Sequence, residues 1–245
     1  MTILDVRHIT VYHYSHPVQL GDHRLMLRPR DSHDLRLIET DLSLSPHASI
    51  RWVHDVFGNS VAFATFAEST AELRIESHLR LETFAIERPP FEVTPDAVSY
   101  PFVYTADDRI DLGRLLERQY LDPADRLGTW ARGFVRSNPT DTLALLADLN
   151  IGVARRVSYQ SREAEGTQTP LETLDRGWGS CRDMAMLFIE AARCLGFGAR
   201  AVSGYLYNPS ATTMSGQPMP GPTFMFPAPV GSRTIRRMAE LTAAT

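Results

Sequence analysis

The chain has 245 residues, a formal net charge of −4 and a hydrophobic fraction of 43%. This length allows one large domain or two modest ones with a buried core, and the acidic balance gives no electrostatic reason to expect a nucleic-acid partner. Two cysteines do not form a disulfide framework and fit a reducing compartment. The chain opens with no basic-then-apolar leader and contains no run of about 18 apolar residues that could span a membrane. We therefore expect a cytoplasmic protein.

Residues 1–88 are predicted to form an antiparallel β-sandwich. The clearest strand runs from Leu73 to Leu81, where apolar residues alternate with charged ones as in a half-buried strand. Weaker strands are predicted at His8–Tyr14, Leu35–Leu44, Ile50–Val53 and Val61–Phe66. Proline, glycine, asparagine and aspartate residues separate them, and several short strands with regular turns indicate a sandwich.

Residues 89–112 carry several prolines and no steady period, which is typical of an extended linker. Residues 113–207 change to helical spacing and form the second predicted domain. Helices are predicted at Leu127–Val135, from the capping pair Thr140-Asp141 to about Arg156, and after Cys181, where one face is apolar. Gly196 and Gly198 end the last helix, and a strand is predicted at Ala199–Tyr207.

Residues 208–245 are predicted to be an irregular tail. Its composition changes abruptly at Asn208, and prolines crowd the stretch that follows. Proline is confined to the edges and ends of strands, so this stretch does not favour regular sheet.

Cys181 is the candidate catalytic nucleophile. It follows a glycine-punctuated turn, Gly177-Trp-Gly-Ser-Cys181, and begins an apolar helix. Unpaired N–H groups and the helix dipole at that position stabilise a thiolate, so we expect a lowered thiol pKa. The backbone N–H of Cys181 could serve as one oxyanion donor. The alternative is that Cys181 is a small buried apolar residue, which is how we interpret Cys194 in the middle of the helix.

The residues around Cys181 leave several alternatives open. Arg182 and Asp183 either support the nucleophile turn or form a solvated first helical turn. Trp178 either borders the site for the acyl group and lends its indole N–H, or packs in the core. Tyr159 either lines the cleft or packs at a strand edge. No cofactor-binding or metal-binding motif is predicted.

No histidine follows Cys181, although a nucleophilic thiol normally needs a nearby base. All eight histidines lie between His8 and His78. His8, His13, His16 and His23 lack a paired ligand motif, so we expect surface or turn roles rather than a metal site. His54-Asp55 is interpreted as part of a turn and not as a catalytic base.

Three segments of the second domain together resemble the bacterial transglutaminase-like family. They are Gly166-Thr-Gln-Thr-Pro-Leu-Glu-Thr-Leu174, Gly177-Trp-Gly-Ser-Cys-Arg-Asp183 and Gly196-Phe-Gly-Ala-Arg-Ala-Val-Ser-Gly-Tyr-Leu206. The N-terminal region resembles that family's β-rich domain in four pieces: His8-Ile-Thr-Val-Tyr12, Pro17-Val18, Leu27-Arg-Pro-Arg30 and Asp55-Val-Phe-Gly-Asn59.

The resemblance implies an α+β fold: an N-terminal antiparallel β-sandwich followed by a papain-like core, here without its last strands. It also implies a Cys-His-Asp triad that acts on protein or peptide amides as a transglutaminase or thiol protease, with Cys181 as nucleophile. The family's histidine stands in a His-Ala-Trp strand soon after Ser-Gly-Tyr-Leu, and its aspartate in Asp-Pro-Thr-Asn. Neither motif is present in this sequence.

We hypothesise that a change of reading frame removed the missing motifs. When the last base of each codon is read with the first two of the next, residues 218–231 are compatible with His-Ala-Trp-Ala-Asp-Val-Tyr-Val-Pro-Gly-Ala-Gly-Trp. Residues 232–238 likewise permit Ile-Thr-Tyr-Asp-Pro-Thr-Asn. The lost histidine would stand at Met219 and the lost aspartate at Ile235. The alternative is a natural low-complexity tail.

Two classes of function follow from the sequence. The first is a transglutaminase-like cysteine acyltransferase or protease whose activity is lost in this chain. The second is a non-catalytic protein-binding module that keeps the fold. The oligomeric state, the substrate and the choice between hydrolysis and transamidation stay open.

Overall fold

The computed structural model describes residues 2–32, 35–84, 93–162, 164–205, 223–226 and 239–242. The chain divides into two compact units, residues 1–90 and residues 91–245. No helix within the described ranges is long and apolar enough to cross a membrane.

The first unit is a pair of three-stranded antiparallel sheets. One sheet has the order β1-β6-β3 and the other β2-β5-β4. The strands are β1 (Thr2–Gln19), β2 (His23–Leu25), β3 (Leu35–Ser45), β4 (Ala48–His54), β5 (Ser60–Phe66) and β6 (Ser69–Thr83). The five predicted strands are therefore confirmed, and β2 is a short strand that the sequence analysis did not predict.

The alternation in β6 explains why the two sheets form a sandwich. Leu73, Ile75, Leu79 and Leu81 are all buried, whereas the charged residues between them face away from this core. Leu73 and Ile75 of one sheet share a core with Ala64 and Phe66 of the other. The predicted N-terminal sandwich is confirmed.

The turn between β4 and β5 has the role that the sequence predicts for His54-Asp55. The Asp55 carboxylate accepts hydrogen bonds from the backbone N–H groups of Phe57 and Asn59 and from the Asn59 side chain. Gly58 has a φ of 73°, which favours glycine. Asp55 is therefore engaged in the turn.

The second unit contains five α-helices, two 3₁₀ helices (Pro95–Ala97 and Gly113–Leu116) and several short strands within its described residues. The helices are α1 (Ala106–Leu112), α2 (Arg126–Arg132), α3 (Thr142–Arg156), α4 (Pro170–Arg176) and α5 (Cys181–Cys194). The strands are β7 (Ser99–Tyr100), β8 (Thr140–Asp141), β9 (Ser158–Tyr159), β10 (Trp178–Gly179), β11 (Thr223–Phe226) and β12 (Ala239–Thr242).

Helix α5 is central to the core of the second unit. Leu187, Phe188 and Ala191 on its apolar face are essentially inaccessible to solvent. They belong to one core with residues of α2, α3 and α4, including Leu127, Leu149 and Leu174. The predicted helices at 127–135, 140–156 and after Cys181 correspond to α2, α3 and α5. The predicted capping residue Asp141 is the N-cap of α3, and Ser180 is the N-cap of α5.

Three predictions for the second unit are corrected by the structure. The described part of the linker contains α1, which starts because Thr105 and Asp108 cap it reciprocally. Helix α4 is absent from the predicted helices; it starts at Pro170, with Thr169 as its N-cap. The described residues of the predicted strand 199–207 form no strand, and the Ala199 backbone instead bonds to Leu115 and to the Arg193 guanidinium.

Two short strands lie in the segment for which we predicted an irregular tail. Strands β11 and β12 pair in antiparallel register. β11 occupies the four proline-free positions between Pro222 and Pro227, which is where a strand is compatible with the spacing of the prolines.

Candidate active site

The candidate nucleophile stands where a parallel strand pair meets the start of a helix. Gly177 ends α4 with a φ of 66°, and β10 then pairs with β9. The N–H groups of Ser158 and Gln160 donate to the carbonyl oxygens of Gly177 and Gly179. Ser180 is the N-cap of α5 and Cys181 is its first residue. The predicted position of Cys181 at a helix N-terminus is thus observed.

The Cys181 thiol is less accessible and less acidic than the sequence predicts. Its residue exposure is 7%. Burial raises the thiol pKa above its ordinary value, the backbone N–H at Cys181 lowers it, and the negative charge of Asp183 raises it again. The expected lowered pKa is therefore wrong for this chain, because desolvation outweighs the helix terminus.

Asp183 holds the nucleophile turn together. Its carboxylate is fully buried and accepts hydrogen bonds from the Ser180 N–H at 2.8 Å, the Ser180 hydroxyl at 2.7 Å and the Gln168 N–H at 2.7 Å. Burial alone would raise its pKa, but the Arg162 guanidinium and these hydrogen bonds lower the pKa to about 2. Of the two interpretations of Asp183, the structure supports the one in which it supports the turn.

Arg162 is the charged partner of Asp183. Its Nε and Nη2 donate to the two carboxylate oxygens at 3.1 Å each, and its Nη2 also donates to the carbonyl oxygen of Gly166. Arg182 reaches back to the same loop and donates to the carbonyl oxygens of Arg162 and Ala164. Arg182 therefore stabilises this loop through exposed hydrogen bonds to its backbone, while the buried Asp183 carboxylate binds Arg162 and the Gln168 N–H.

Comparisons with known proteins identify the two regions of the chain. The family model described as "Bacterial transglutaminase-like N-terminal region" matches residues 4–82. The model described as "Transglutaminase-like superfamily" matches residues 128–235, which include the nucleophile turn and part of the tail. The chain carries a bacterial transglutaminase-like N-terminal region and a transglutaminase-like core domain.

A solved structure shares the fold of this transglutaminase-like protein. A crystal structure of a candidate cysteine protease from Cytophaga hutchinsonii superposes with a TM-score of 0.60 at 15% sequence identity. The alignment covers 84% of this chain and 70% of the other. A comparison with curated protein sequences gives no match. The similarity to the solved structure supports the α+β fold with a papain-like core.

Tyr159 and Trp178 lie on the strand pair beside the transglutaminase-like nucleophile turn. Tyr159 pairs in register with Gly179 and is about half exposed. Trp178 pairs with Ser158, and the guanidinium of Arg176 lies 5.6 Å from the centre of its ring. The strand pair therefore places both residues next to the turn that leads into Cys181. Their roles in the cleft stay predictions.

Gln168 is a site residue that the sequence analysis did not single out. Its side chain is buried, and neither its oxygen nor its nitrogen has a hydrogen-bond partner among the described residues. Its backbone N–H is bound by Asp183, which fixes the start of the loop before α4. Arg162 was missed as well, because it lies 21 residues before Asp183 in the chain. The segment Thr-Gln-Thr-Pro at 167–170, which leads into the cap of α4, was the sequence feature that could have indicated Gln168.

Cys194 is placed at the other end of α5. It packs against the core, and burial raises its pKa to about 11, an effect that Arg118 opposes. This agrees with the interpretation of Cys194 as a core residue.

The four histidines considered as metal ligands have separate partners. His8 lies 2.9 Å from the Thr10 hydroxyl, His16 contacts Ser15, and His23 contacts the Gly21 carbonyl. His13 lies 3.4 Å from Glu72 on the outer face of its sheet. Met219 and Ile235, the positions of the proposed lost triad residues, lie outside the described residues.

Proposed function

We propose that this transglutaminase-like core is built for acyl transfer at amide bonds of proteins or peptides, with Cys181 as the nucleophile. The thiolate attacks the amide carbonyl carbon, the carbonyl oxygen takes the negative charge, and the amine leaves with a proton from a general acid. The backbone N–H of Cys181 at the start of α5 is the proposed oxyanion donor. The observation that carries the proposal is Cys181 as first residue of α5 on a turn clamped by Asp183.

We propose further that this chain has lost the base that its thiol needs. Every histidine in the sequence lies between His8 and His78, within the first unit. The shifted reading frame supplies the family's histidine at Met219 and its aspartate at Ile235. The raised pKa of Cys181 supports this proposal, since the described residues provide no cation that stabilises its thiolate directly.

Loss of the base removes most of the catalytic power of such a site. A thiol at a helix terminus keeps some nucleophilicity, but proton delivery to the leaving amine is lost. Removing one member of a coupled triad typically costs several orders of magnitude in rate. We therefore expect negligible acyl transfer from the chain with the present sequence.

A non-catalytic protein-binding module is the second candidate function. The observation that favours it is the thiol itself, which is buried and less acidic than an activated nucleophile. A binding module would keep the same fold and need no base. Cys181→Ala would then leave binding unchanged.

The test is a turnover assay on peptide amides with the chain and its Cys181→Ala variant, together with the coding DNA across codons 208–240. We expect no turnover above that of Cys181→Ala, and a shifted frame that encodes His-Ala-Trp and Asp-Pro-Thr-Asn. A robust rate that Cys181→Ala abolishes would contradict the lost base. A shifted frame without those motifs would end the frameshift proposal.

A further inference from the structure

The nucleophile turn contains an electrostatic conflict. The carboxylate that fixes the turn belongs to Asp183, two residues after the proposed nucleophile on the same first helical turn. A buried negative charge two residues away on the same helical turn opposes formation of the Cys181 thiolate. The Asp183 hydrogen bonds stabilise the turn, but its negative charge disfavours the thiolate unless a cation offsets that charge.

The described residues provide one direct cationic partner for that carboxylate. Arg162 contacts both carboxylate oxygens, and its side chain is 14% exposed while that of Asp183 is 0% exposed. A charge pair shielded from water interacts more strongly than a surface pair, and removing one partner leaves an uncompensated buried charge. Arg162 is thus placed to neutralise Asp183.

We propose that Arg162 is a positioning residue for Cys181: through its two contacts with Asp183 it holds the turn that presents the thiol and offsets the negative charge beside that thiol. The proposal rests on the proposed function of Cys181. It adds a residue that acts on the thiol through the Asp183 carboxylate, which its guanidinium contacts at 3.1 Å.

Other charged and titratable groups near the turn have partners of their own. Glu172 of α4 accepts from Thr169 in a capping box. Arg182 donates to the carbonyl oxygens of the 162–164 loop. Arg176 lies over the ring of Trp178, and Tyr159 is exposed on β9. None of these described groups contacts the Asp183 carboxylate.

The test measures alkylation of Cys181 by iodoacetamide in the full chain as a function of pH, with the Cys181 peptide quantified by mass spectrometry. The midpoint of the pH profile is the readout, because a change in reagent access to the sulfur scales the rate at every pH and does not by itself move the midpoint. In Arg162→Met we expect the midpoint to rise and the rate at a fixed pH below it to fall roughly 3- to 10-fold. Arg162→Lys keeps a positive charge and is expected to recover most of the rate.

The double variant Arg162→Met with Asp183→Asn separates charge compensation from a purely structural role. Both charges are then absent, so the midpoint is expected to return to the starting value or below it. A double variant with a midpoint as high as Arg162→Met alone would overturn the proposal, as would an unchanged midpoint in Arg162→Met. If Arg162→Met does not fold, Asp183→Asn decides: a lower midpoint supports the proposal and an unchanged or higher one overturns it.

A second buried ion pair on the same helix provides a matched control. Glu190 and Arg193 form a shielded pair near the C-terminal end of α5, where Glu190 also accepts from the Gln119 N–H. Glu190→Gln is expected to lower the stability of the fold without moving the Cys181 midpoint. A midpoint that moves equally in Glu190→Gln would show a general loss of structure and contradict the specific role of Arg162. Alkylation reports ionisation without turnover, so a failure of this proposal is distinguishable from a failure of acyl transfer.

Discussion

At the scale of single residues, the candidate site depends on a buried polar network that supports one thiol. The sequence predicted the position of Cys181, because a glycine-rich turn and an apolar helix can be read from consecutive residues. It left the role of Asp183 open, because a carboxylate in a first helical turn is equally compatible with a solvated surface. Burial and the partner Arg162 decide that role, and both depend on a loop distant in sequence.

Thiol acidity was the property that the sequence predicted wrongly. The helix N-terminus favours a thiolate, but the extent of desolvation depends on how closely the surrounding residues cover the sulfur. At 7% exposure the burial effect is larger and the pKa rises. The local sequence does not indicate how far residues distant in the chain bury the Cys181 sulfur.

The side-chain amide of Gln168, which has no hydrogen-bond partner within the described part of the chain, leads to a prediction about stability. A buried donor or acceptor without a partner costs about 1–3 kcal/mol. Gln168→Leu removes both polar atoms and keeps a similar volume, so we expect the free energy of unfolding to rise by about 1 kcal/mol. Urea unfolding of the chain and the variant measures the difference.

Gln160→Leu is a control for the general effect of the substitution, because Gln160 is exposed, and we expect it to change stability by less than about 0.5 kcal/mol. A clear loss of stability in Gln168→Leu would show that the Gln168 amide has a hydrogen-bond partner in solution.

At the scale of secondary-structure elements, the long elements with strong patterns were predictable. Helices α3 and α5 have caps and an apolar face, and strand β6 alternates over its length. The short helices α1 and α4 were missed because their seven residues show no clear apolar period, whereas the equally short α2 begins an apolar spacing at Leu127 and Ala131. The Thr-Pro-x-Glu pattern at 169–172 was a usable signal for α4, since it provides a cap and an N-terminal proline.

The position of α3 in the core leads to a prediction at Gly152. A Cβ atom at this position would lie 2.2 Å from Cζ of Phe134, whose ring also packs edge-on against Trp130. Alanine normally stabilises a helix interior relative to glycine by about 1 kcal/mol. Here we expect Gly152→Ala to lower the free energy of unfolding by about 1–3 kcal/mol, because the ring must move.

Thermal unfolding of Gly152→Ala compared with Gly21→Ala tests this expectation, since a Cβ at Gly21 meets no atom within 4 Å. A Gly152→Ala variant as stable as the starting protein would show that the Phe134 ring is free to rearrange.

At the scale of the whole molecule, the chain joins a β-sandwich unit to a transglutaminase-like unit. The sequence predicted both, since the change from two-residue to helical periodicity marks the boundary region. It did not predict that residues 199–205 form no strand, because an apolar run shows strand propensity but not whether a partner strand is available. The family's His-Ala-Trp strand is missing from the translated sequence, which agrees with the proposed change of frame.

The most direct measurement is turnover by a chain in which the codons from Pro218 onward are translated in the shifted frame. We expect this restored chain to cleave or transfer peptide amides at a rate that Cys181→Ala abolishes, while the present chain does neither. Replacing the restored histidine by alanine should reduce the rate by several orders of magnitude. A folded restored chain without Cys181-dependent turnover on any peptide amide would contradict Cys181 as the nucleophile of an acyl-transfer site.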